Sequence, residues 1–308
     1  MNAHVSRLVL GTLQMGIPYG IANATGVPSR KESFAILDTA WESGVDMMDT
    51  AAAYGESEAI LGEWMASRNA HPRIVTKLPP LPKVAHDVES IGLHYETHLQ
   101  ASLARLGRPA VWGLLLHEPE DFLSWPREVA EVLRGFRKQG MASHVGASLY
   151  RSDDGQTLLS APELDLFQIP FNLFDQRFLP SSSQLQTASA RSKILLGRSC
   201  FLQGFFFLTP EEAAIRVPGS REFLMRLQQI AWTQDMSVRR LALGFALSFP
   251  ELSGIILGVE SAAQMRENQA SYREGPLGPE LVAMIREAFA SVPSSLRDPA
   301  RWPARKNR

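Results

Sequence analysis

Eight short apolar segments recur along the chain, and amphipathic stretches separate most of them. These segments occupy residues 7–12, 45–50, 73–78, 111–117, 143–148, 164–169, 193–199 and 253–259. Uninterrupted apolar runs of this length are typical of parallel strands that are buried on both faces. Eight such strands alternating with helices predict an α/β fold, a (β/α)8 TIM barrel. An open doubly wound sheet is the alternative. No break in composition marks a boundary, so we expect residues 1–308 to form a single domain.

Helices are predicted over residues 29–44, 57–67, 88–107, 127–140 and 279–293. A longer helical block is predicted over 220–249, and within it a segment begins at the N-cap Ser237. The first of these has Ser29 as its N-cap, Glu32 as a capping-box partner and Gly44 just after its end. The tail over residues 294–308 is rich in proline and arginine, and we expect it to be irregular.

The charge balance excludes a strong electrostatic preference for polyanions. There are 31 basic and 32 acidic residues among 308, and the formal net charge is −1. We therefore expect a small-molecule partner rather than nucleic acid or a membrane surface. The single cysteine, Cys200, and the lack of an apolar leader or of any apolar run of ~18 residues predict a cytoplasmic protein. No sequence feature indicates an oligomeric state.

Polar side chains stand where three successive predicted strands end. Asp49 closes the second strand, Tyr54 lies in the loop after it, and Lys77 and His117 end the third and fourth strands. Each residue taken alone is more often a packing or solvated residue, but barrel closure would bring the four together. An ammonium beside a phenol favours the phenolate, whose ordinary pKa is ~10, and a carboxylate keeps that ammonium charged. A histidine nearby could orient a substrate oxygen. The set suits proton transfer to a carbonyl oxygen or from an alcohol.

Several ordered segments resemble the aldo-keto reductase superfamily. They are DTAAAYGESEAILGE (49–63), TK (76–77), LLLHEP (114–119), LVLGTLQMG (8–16), HVGAS (144–148), FQIPFN (167–172) and ILGVESAAQMREN (256–268). The resemblance implies an enzyme that reduces an aldehyde or ketone with hydride from NAD(P)H, without a metal. It also implies that Tyr54 is the general acid, Lys77 lowers its pKa, Asp49 pairs with Lys77, and His117 positions the carbonyl.

The resemblance further implies a cofactor site made by residues at the mouth of the barrel. These are Gly11, Thr12, Asp49, Ser148, Gln168, Arg198, Ser199, Phe201, Leu202, Gln203, Gly204, Gly258, Ser261, Gln264, Glu267 and Asn268. Two positions depart from the family pattern: Leu149 replaces an asparagine, and Arg198 stands where an aromatic residue commonly stacks on the nicotinamide.

The resemblance implies NADPH as the cofactor, because the family prefers it, while NADH is possible. Many members place an arginine where this chain has Gln264, and Glu260 would repel a phosphate if it points inward. Arg266 is a nearby cation that could help.

For the substrate we expect contacts from Met15, Tyr19, Tyr54 and His117, with Ile17, Phe201 and Phe207 as further lining. The mixed polar loop after the first strand favours a polyol or sugar-like carbonyl over a steroid-like one. Trp41 is predicted to pack against the barrel rather than face the substrate.

Two other functions remain open. One is a cofactor-binding regulator without turnover, like the potassium-channel β-subunits of the same fold. The other is a metal-assisted lyase or isomerase, for which the sequence offers no clustered carboxylates. His94 and His98 could share a helix face, but a solvated or packed face is the simpler interpretation.

Overall fold

Eight parallel strands form a closed barrel in chain order, which confirms the (β/α)8 prediction. The computed structural model describes residues 6–84, 87–179 and 192–303. Its strands are β1 Leu8–Gly11, β2 Met47–Asp49, β3 Arg73–Leu78, β4 Val111–Leu116, β5 Ala142–Ser148, β6 Leu166–Pro170, β7 Ile194–Arg198 and β8 Gly254–Gly258.

Helices surround the barrel and join successive strands. They are α1 Leu13–Gly16, α2 Arg30–Glu42, α3 Ser57–Arg68, α4 Val88–Leu106, α5 Glu120–Ser124, α6 Pro126–Lys138, α7 Ser152–Ser160, α8 Pro210–Arg216, α9 Arg221–Thr233, α10 Val238–Leu247, α11 Ala262–Arg273, α12 Pro279–Ala288 and α13 Ser294–Arg297. Two 3-10 helices cover Leu202–Phe207 and Pro299–Arg301. Within the described ranges, no helix is both long and apolar enough to cross a bilayer.

The barrel closes where the first strand meets the last. Leu8 pairs with Ile255, and the register continues to Gly11 opposite Gly258. The Arg7 guanidinium supports this junction by donating to the backbone carbonyls of Leu247, Phe249 and Leu252 at 2.7–2.9 Å.

The strand period of two explains how polar residues reach the mouth of the barrel. An interior cluster of buried side chains fills the middle of the barrel, and it comprises Val9, Met47, Val75, Leu115, Leu166, Leu196 and Ile256. Side chains two positions apart share a face of a strand, so the next inward positions form the layer above this cluster. Those positions are Gly11, Asp49, Lys77, His117, Gln168, Arg198 and Gly258.

Three details differ from the sequence-based predictions. The block 220–249 is two helices, separated at Asp235, whose φ is 51°. The start of the second helix, α10, after the N-cap Ser237 is as predicted. The described part of the tail, predicted to be irregular, contains α13 and a 3-10 turn because Leu296 is buried and Trp302 packs 5.6 Å from Phe205. Residues 304–308 of that prediction lie outside the described residues.

The third difference concerns the start of α2. Ser29 does cap the helix by accepting from the Glu32 backbone N–H, but Glu32 does not complete a capping box. Its Oε1 instead accepts from the Ala262 N–H at 2.7 Å. The pairing of β1 with β8 brings α2 beside α11, and the carboxylate therefore reaches the neighbouring helix.

Candidate active site

A cavity of about 1050 Å³ opens at the carboxyl ends of the strands. Typical small-molecule pockets occupy ~300–1,000 Å³, so this cavity can hold a large ligand together with a small one. Its wall includes Asp49, Tyr54, Lys77 and His117, the four residues predicted from the strand ends. Catalytic residues of (β/α)8 barrels lie at this end of the barrel, and the cavity is therefore the candidate active site.

A buried ion pair forms the floor of the cavity beneath Tyr54. The Lys77 ammonium donates to Asp49 Oδ1 at 2.7 Å and to the Thr50 carbonyl at 2.8 Å. Both side chains are almost fully buried, with Lys77 2% and Asp49 5% exposed. Gln168 Nε2 also donates to Asp49 Oδ1. The carboxylate thus accepts from two donors at once, which holds Lys77 in a single position.

Tyr54 and His117 lie directly beside this pair. The Lys77 Nζ is 4.9 Å from the centroid of the Tyr54 ring, and the Tyr54 and His117 rings meet edge to face with centroids 5.9 Å apart. The phenol and the imidazole therefore border the same small volume of the cavity.

Burial and neighbouring charges set the protonation states. Burial raises the pKa of Tyr54, and the Lys77 ammonium opposes this, so the phenol is protonated at neutral pH. Lys77 lowers the pKa of Tyr54, as the resemblance implied, but desolvation outweighs it and the net shift is upward. Burial lowers the pKa of His117 to about 4, with help from Lys77 and Arg198, and the imidazole is neutral. Burial opposes the charge on Lys77, yet Asp49 and Tyr54 raise its pKa overall.

Close backbone packing places Tyr54 over the cavity. A Cβ at Gly16 in α1 would lie 1.6 Å from the Tyr54 carbonyl oxygen, so only glycine allows this approach. On the other side, Gly55 has a φ of 52° and approaches the Gly16 carbonyl. Gly16 and Gly55 thus allow the backbone of the loop after β1 to pack directly against the backbone of the loop that carries Tyr54.

The loop after β7 adopts unusual backbone angles. Ser199, Leu202, Gln203 and Gly204 all have positive φ, between 47° and 84°. Such conformations cost on the order of 1–3 kcal/mol at each non-glycine residue and are concentrated at functional sites. The Gln203 carbonyl accepts from the Ile21 N–H at 2.9 Å, which joins this loop to the loop after β1.

Arg198 projects from the end of β7 into the cavity wall. Its Nη2 donates to the Leu149 carbonyl at 2.9 Å, and its guanidinium lies 4.6 Å from the centroid of the Tyr150 ring. Within the described part of the chain its Nε is buried and has no hydrogen-bond partner. A cation with an unused donor at this position suits an anionic or strongly polar ligand group.

At the β8 end, α11 brings Gln264 and Asn268 to the cavity. Ser261 caps the helix by accepting from the Gln264 N–H at 3.2 Å. Asn268 is 1% exposed, and its Oδ1 accepts from Arg239. Its Nδ2 is buried and has no partner among the described residues. An orphaned buried donor of this kind is expected where a ligand supplies the missing acceptor.

Most predicted site residues line the cavity. Those on its wall are Gly11, Tyr19, Asp49, Tyr54, Lys77, His117, Ser148, Gln168, Arg198, Ser199, Phe201, Leu202, Gln203, Gly204, Gly258, Gln264 and Asn268, together with Ile17 and Phe207. Gln168, one of the residues expected at the cofactor site, donates from its Nε2 to Asp49 Oδ1 in this structure.

Four predicted residues lie outside the described wall. Met15 is 1% exposed within the hydrophobic core, because α1 turns its side chain inward. The Thr12 hydroxyl bonds to Ser57 Oγ and the Asp49 carbonyl. Ser261 serves as the N-cap of α11, and Glu267 pairs with Arg239 at 2.8 Å. Trp41 packs edge to face on Trp64, as its predicted packing role requires.

Other wall residues carried no recognisable signal in the sequence. Arg239 in α10 stacks over Phe201 and Phe207 at 5.5 and 4.7 Å, and Tyr150, Arg177 and Arg297 also line the cavity. The N-cap Ser237 predicts the start of a helix, but no motif indicates that Arg239, the second residue of that helix, faces a ligand. The His94 and His98 rings meet edge to face on α4 with centroids 4.6 Å apart. The described residues contain no group of three or more potential metal ligands.

Comparison with known proteins agrees with the fold. An aldo-keto reductase from Bacillus halodurans, in its holo form, superposes with a TM-score of 0.75 over 96% of each chain at 19% identity. A putative aldo-keto reductase from Pseudomonas aeruginosa superposes with a TM-score of 0.66 at 23% identity, covering 88% of this chain and 90% of that one. At these identities the likeness concerns the fold.

Sequence relatives extend the comparison. Norsolorinic acid reductase B of Aspergillus parasiticus is 45% identical over 159 residues, which are 48% of this chain and 41% of that protein. The chain thus aligns with less than half the length of this relative. D-threo-aldose 1-dehydrogenase of a Pseudomonas species is 24% identical over 88% of this chain and 92% of that protein. The aldo/keto reductase family profile matches residues 7–290. The chain belongs to the aldo/keto reductase family, whose named relatives here are oxidoreductases.

Proposed function

We propose that this protein reduces an aldehyde or ketone to the alcohol with NAD(P)H, and that Tyr54 donates the proton. The observation that carries the proposal is the buried Asp49–Lys77 pair beneath Tyr54, with a neutral His117 beside it, at the floor of a large cavity. Family membership and the oxidoreductase names of the relatives support the same reaction class.

The residues on the cavity wall fit a dinucleotide. The volume accommodates one ligand of that size and a small carbonyl compound. The buried Asn268 Nδ2 and Arg198 Nε both lack partners in the described chain, and Ser148 adds a buried hydroxyl on the wall. These groups would hold the cofactor. When bound, the reduced nicotinamide supplies the hydride that the carbonyl carbon receives.

Residues of the chain itself supply the proton to the carbonyl oxygen. Tyr54 is protonated at neutral pH because burial raises its pKa, so it can give its proton to the carbonyl oxygen as negative charge develops there. The phenolate left behind faces the Lys77 ammonium, which Asp49 keeps charged. A neutral His117 can donate an N–H to the same oxygen and orient it. Proton and hydride together convert the carbonyl into the alcohol.

For the substrate we propose a polyol or sugar-like carbonyl compound. The wall near Tyr54 mixes apolar Ile17 with polar groups from Tyr19 and Arg198. The relative that aligns over 88% of this chain is named for a sugar substrate.

A cytoplasmic location was predicted from the sequence, and it remains a prediction.

The test compares Tyr54→Phe with the control Tyr272→Phe. The control removes the same hydroxyl from a tyrosine outside the described cavity wall, where that hydroxyl accepts from the Arg7 backbone N–H. Turnover of a carbonyl panel is followed at 340 nm, and nicotinamide binding is followed by fluorescence titration. We expect Tyr54→Phe to lose roughly 10²–10⁴-fold in kcat while its affinity for the cofactor changes little.

Three outcomes would contradict this proposal. Near-wild-type turnover of Tyr54→Phe would reject Tyr54 as the acid. Tight cofactor binding by the wild type without turnover on any carbonyl would favour a regulatory protein, whereas activity that a chelator abolishes would favour a metal-assisted reaction.

A further inference from the structure

Three backbone N–H groups at the β8–α11 junction donate to side-chain oxygens of the protein. Gln264 Oε1 accepts from the Glu260 N–H at 2.8 Å, and Ser261 Oγ accepts from the Gln264 N–H at 3.2 Å. The Ala262 N–H, at the first position of α11, donates to Glu32 Oε1 at 2.7 Å. A carboxylate from a distant helix therefore occupies the end of α11 that would otherwise attract an anionic ligand.

Positive charge is unevenly distributed around the cavity. Arg198, Arg216 and Arg239 line the side formed by the β7 loop, α8 and α10. On the side near α11, Glu260 lines the wall. Glu32 accepts from the first residue of α11 without being among the described wall residues, and Glu267 pairs with Arg239 and offsets its charge. Arg266 is exposed and is not among the described wall residues. The α11 side thus offers an anion little compensating charge.

This asymmetry bears on which dinucleotide the cavity accepts. Phosphates in (β/α)8 barrels commonly bind at the loops after the seventh and eighth strands. If the reacting ring lies beside Tyr54, the adenosine end of the cofactor would be held on the α11 side, where the buried Asn268 Nδ2 lacks a partner in the described residues. A phosphate dianion on the adenosine ribose would require free amides and cations. A ribose hydroxyl can instead donate to a carboxylate or to an amide oxygen.

Resting on the function proposed above, we propose that this protein selects NADH over NADPH and that Glu32 is the residue that sets this preference. A 2′-phosphate must displace the Glu32 carboxylate from the Ala262 N–H or accept its repulsion, whereas an unmodified ribose does neither. The proposal revises the NADPH preference that the family resemblance implied.

The test measures the dissociation constants of NADH and NADPH by fluorescence titration and calorimetry, without substrate. Glu32→Gln is the decisive variant because the amide oxygen can still accept from the Ala262 N–H, so only the charge is removed. Glu42→Gln is the matched control, since Glu42 is exposed at the far end of the same helix. We expect the wild type to bind NADH at least tenfold more tightly than NADPH. Glu32→Gln should reduce that ratio at least fivefold, mainly by tightening NADPH, and Glu42→Gln should leave it unchanged.

The possible results separate this inference from the proposed function. Binding of NADPH as tightly as NADH by the wild type would overturn the inference alone. The same holds for a Glu32→Gln ratio that shifts no more than that of the control. Failure of the folded wild type to bind either nucleotide would overturn the proposed function and the inference together.

Discussion

Replacing Asp49 with asparagine removes the charge partner of a fully buried lysine while preserving nearly the same shape. Lys77 is 2% exposed and its ammonium lies 2.7 Å from Asp49 Oδ1. Asparagine can still accept from Gln168 Nε2, and Lys77 keeps the Thr50 carbonyl at 2.8 Å. The substitution therefore isolates the loss of one buried negative charge.

The expected cost follows from the burial of the pair. Breaking a buried ion pair by removing one partner costs about 3–5 kcal/mol, because the remaining charge is desolvated and uncompensated. At 2–4 °C per kcal/mol for a domain somewhat smaller than this one, Asp49→Asn should lower the Tm by roughly 6–20 °C. Adding Lys77→Met to Asp49→Asn removes the stranded charge, and the double variant should be more stable than Asp49→Asn alone.

Denaturant and thermal unfolding followed by circular dichroism measure the stability of the wild type, the two single variants and the double variant.

The pH dependence of stability provides a second check. Burial lowers the pKa of Lys77, and Asp49 counteracts this effect. Without Asp49, the pKa of Lys77 in the folded protein should therefore fall below its value in the unfolded chain. The unfolded state then binds more protons between the two values, and the stability of Asp49→Asn should increase as the pH rises towards the unfolded value. A loss below about 1 kcal/mol, with no rescue by Lys77→Met, would refute the reasoning, since breaking a buried pair should cost more.

Three further predictions concern the site and the surrounding core. His117 has a pKa of about 4 in the folded protein, below its unfolded value near 6.5, so its contribution to stability is present above pH 6.5 and is lost as the pH falls through 4. That loss is about 3 kcal/mol, and it should be absent from the pH dependence of unfolding measured for His117→Asn. Gly16→Ala should lower kcat by about 10²-fold because the new methyl group must push the Tyr54 backbone aside, whereas Gly92→Ala in α4, where the nearest atom is 3.8 Å away, should leave steady-state kinetics unchanged. Tyr95→Phe removes the donor that lies 2.7 Å from Asp121 Oδ2 and should destabilise the protein by about 1.5–3 kcal/mol in denaturant unfolding, and an unchanged midpoint would argue against this bond.

The strand pattern and the strand-end residues were predictable because both follow from local periodicity. Apolar runs predicted the eight strands, and the inward positions two residues beyond the interior cluster carry Asp49, Lys77 and His117. Barrel closure then brings these residues together, as the strand-end argument required. The direction of the Tyr54 pKa shift was not predictable, since it depends on how much burial outweighs a nearby ammonium.

Contacts between distant elements were beyond the reach of the sequence pattern. Glu32 satisfies the local rule for a capping box, yet its carboxylate accepts from Ala262, 230 positions away. Arg239 gives no motif, and its place over Phe201 and Phe207 depends on how α10 packs against the β7 loop. Such choices are decided by tertiary neighbours, which local propensities do not encode.

The pairing of Leu8 with Ile255 also has a consequence for synthesis of the chain. During translation β1 is the first of the eight strands to emerge, but its partner on one side follows almost 250 residues later. At a synthesis rate of ~5–20 residues per second, the edge of β1 that pairs with β8 stays unpaired for more than about ten seconds. Unpaired strand edges promote association with other chains, so nascent chains that stall before β8 should be the species that needs a chaperone.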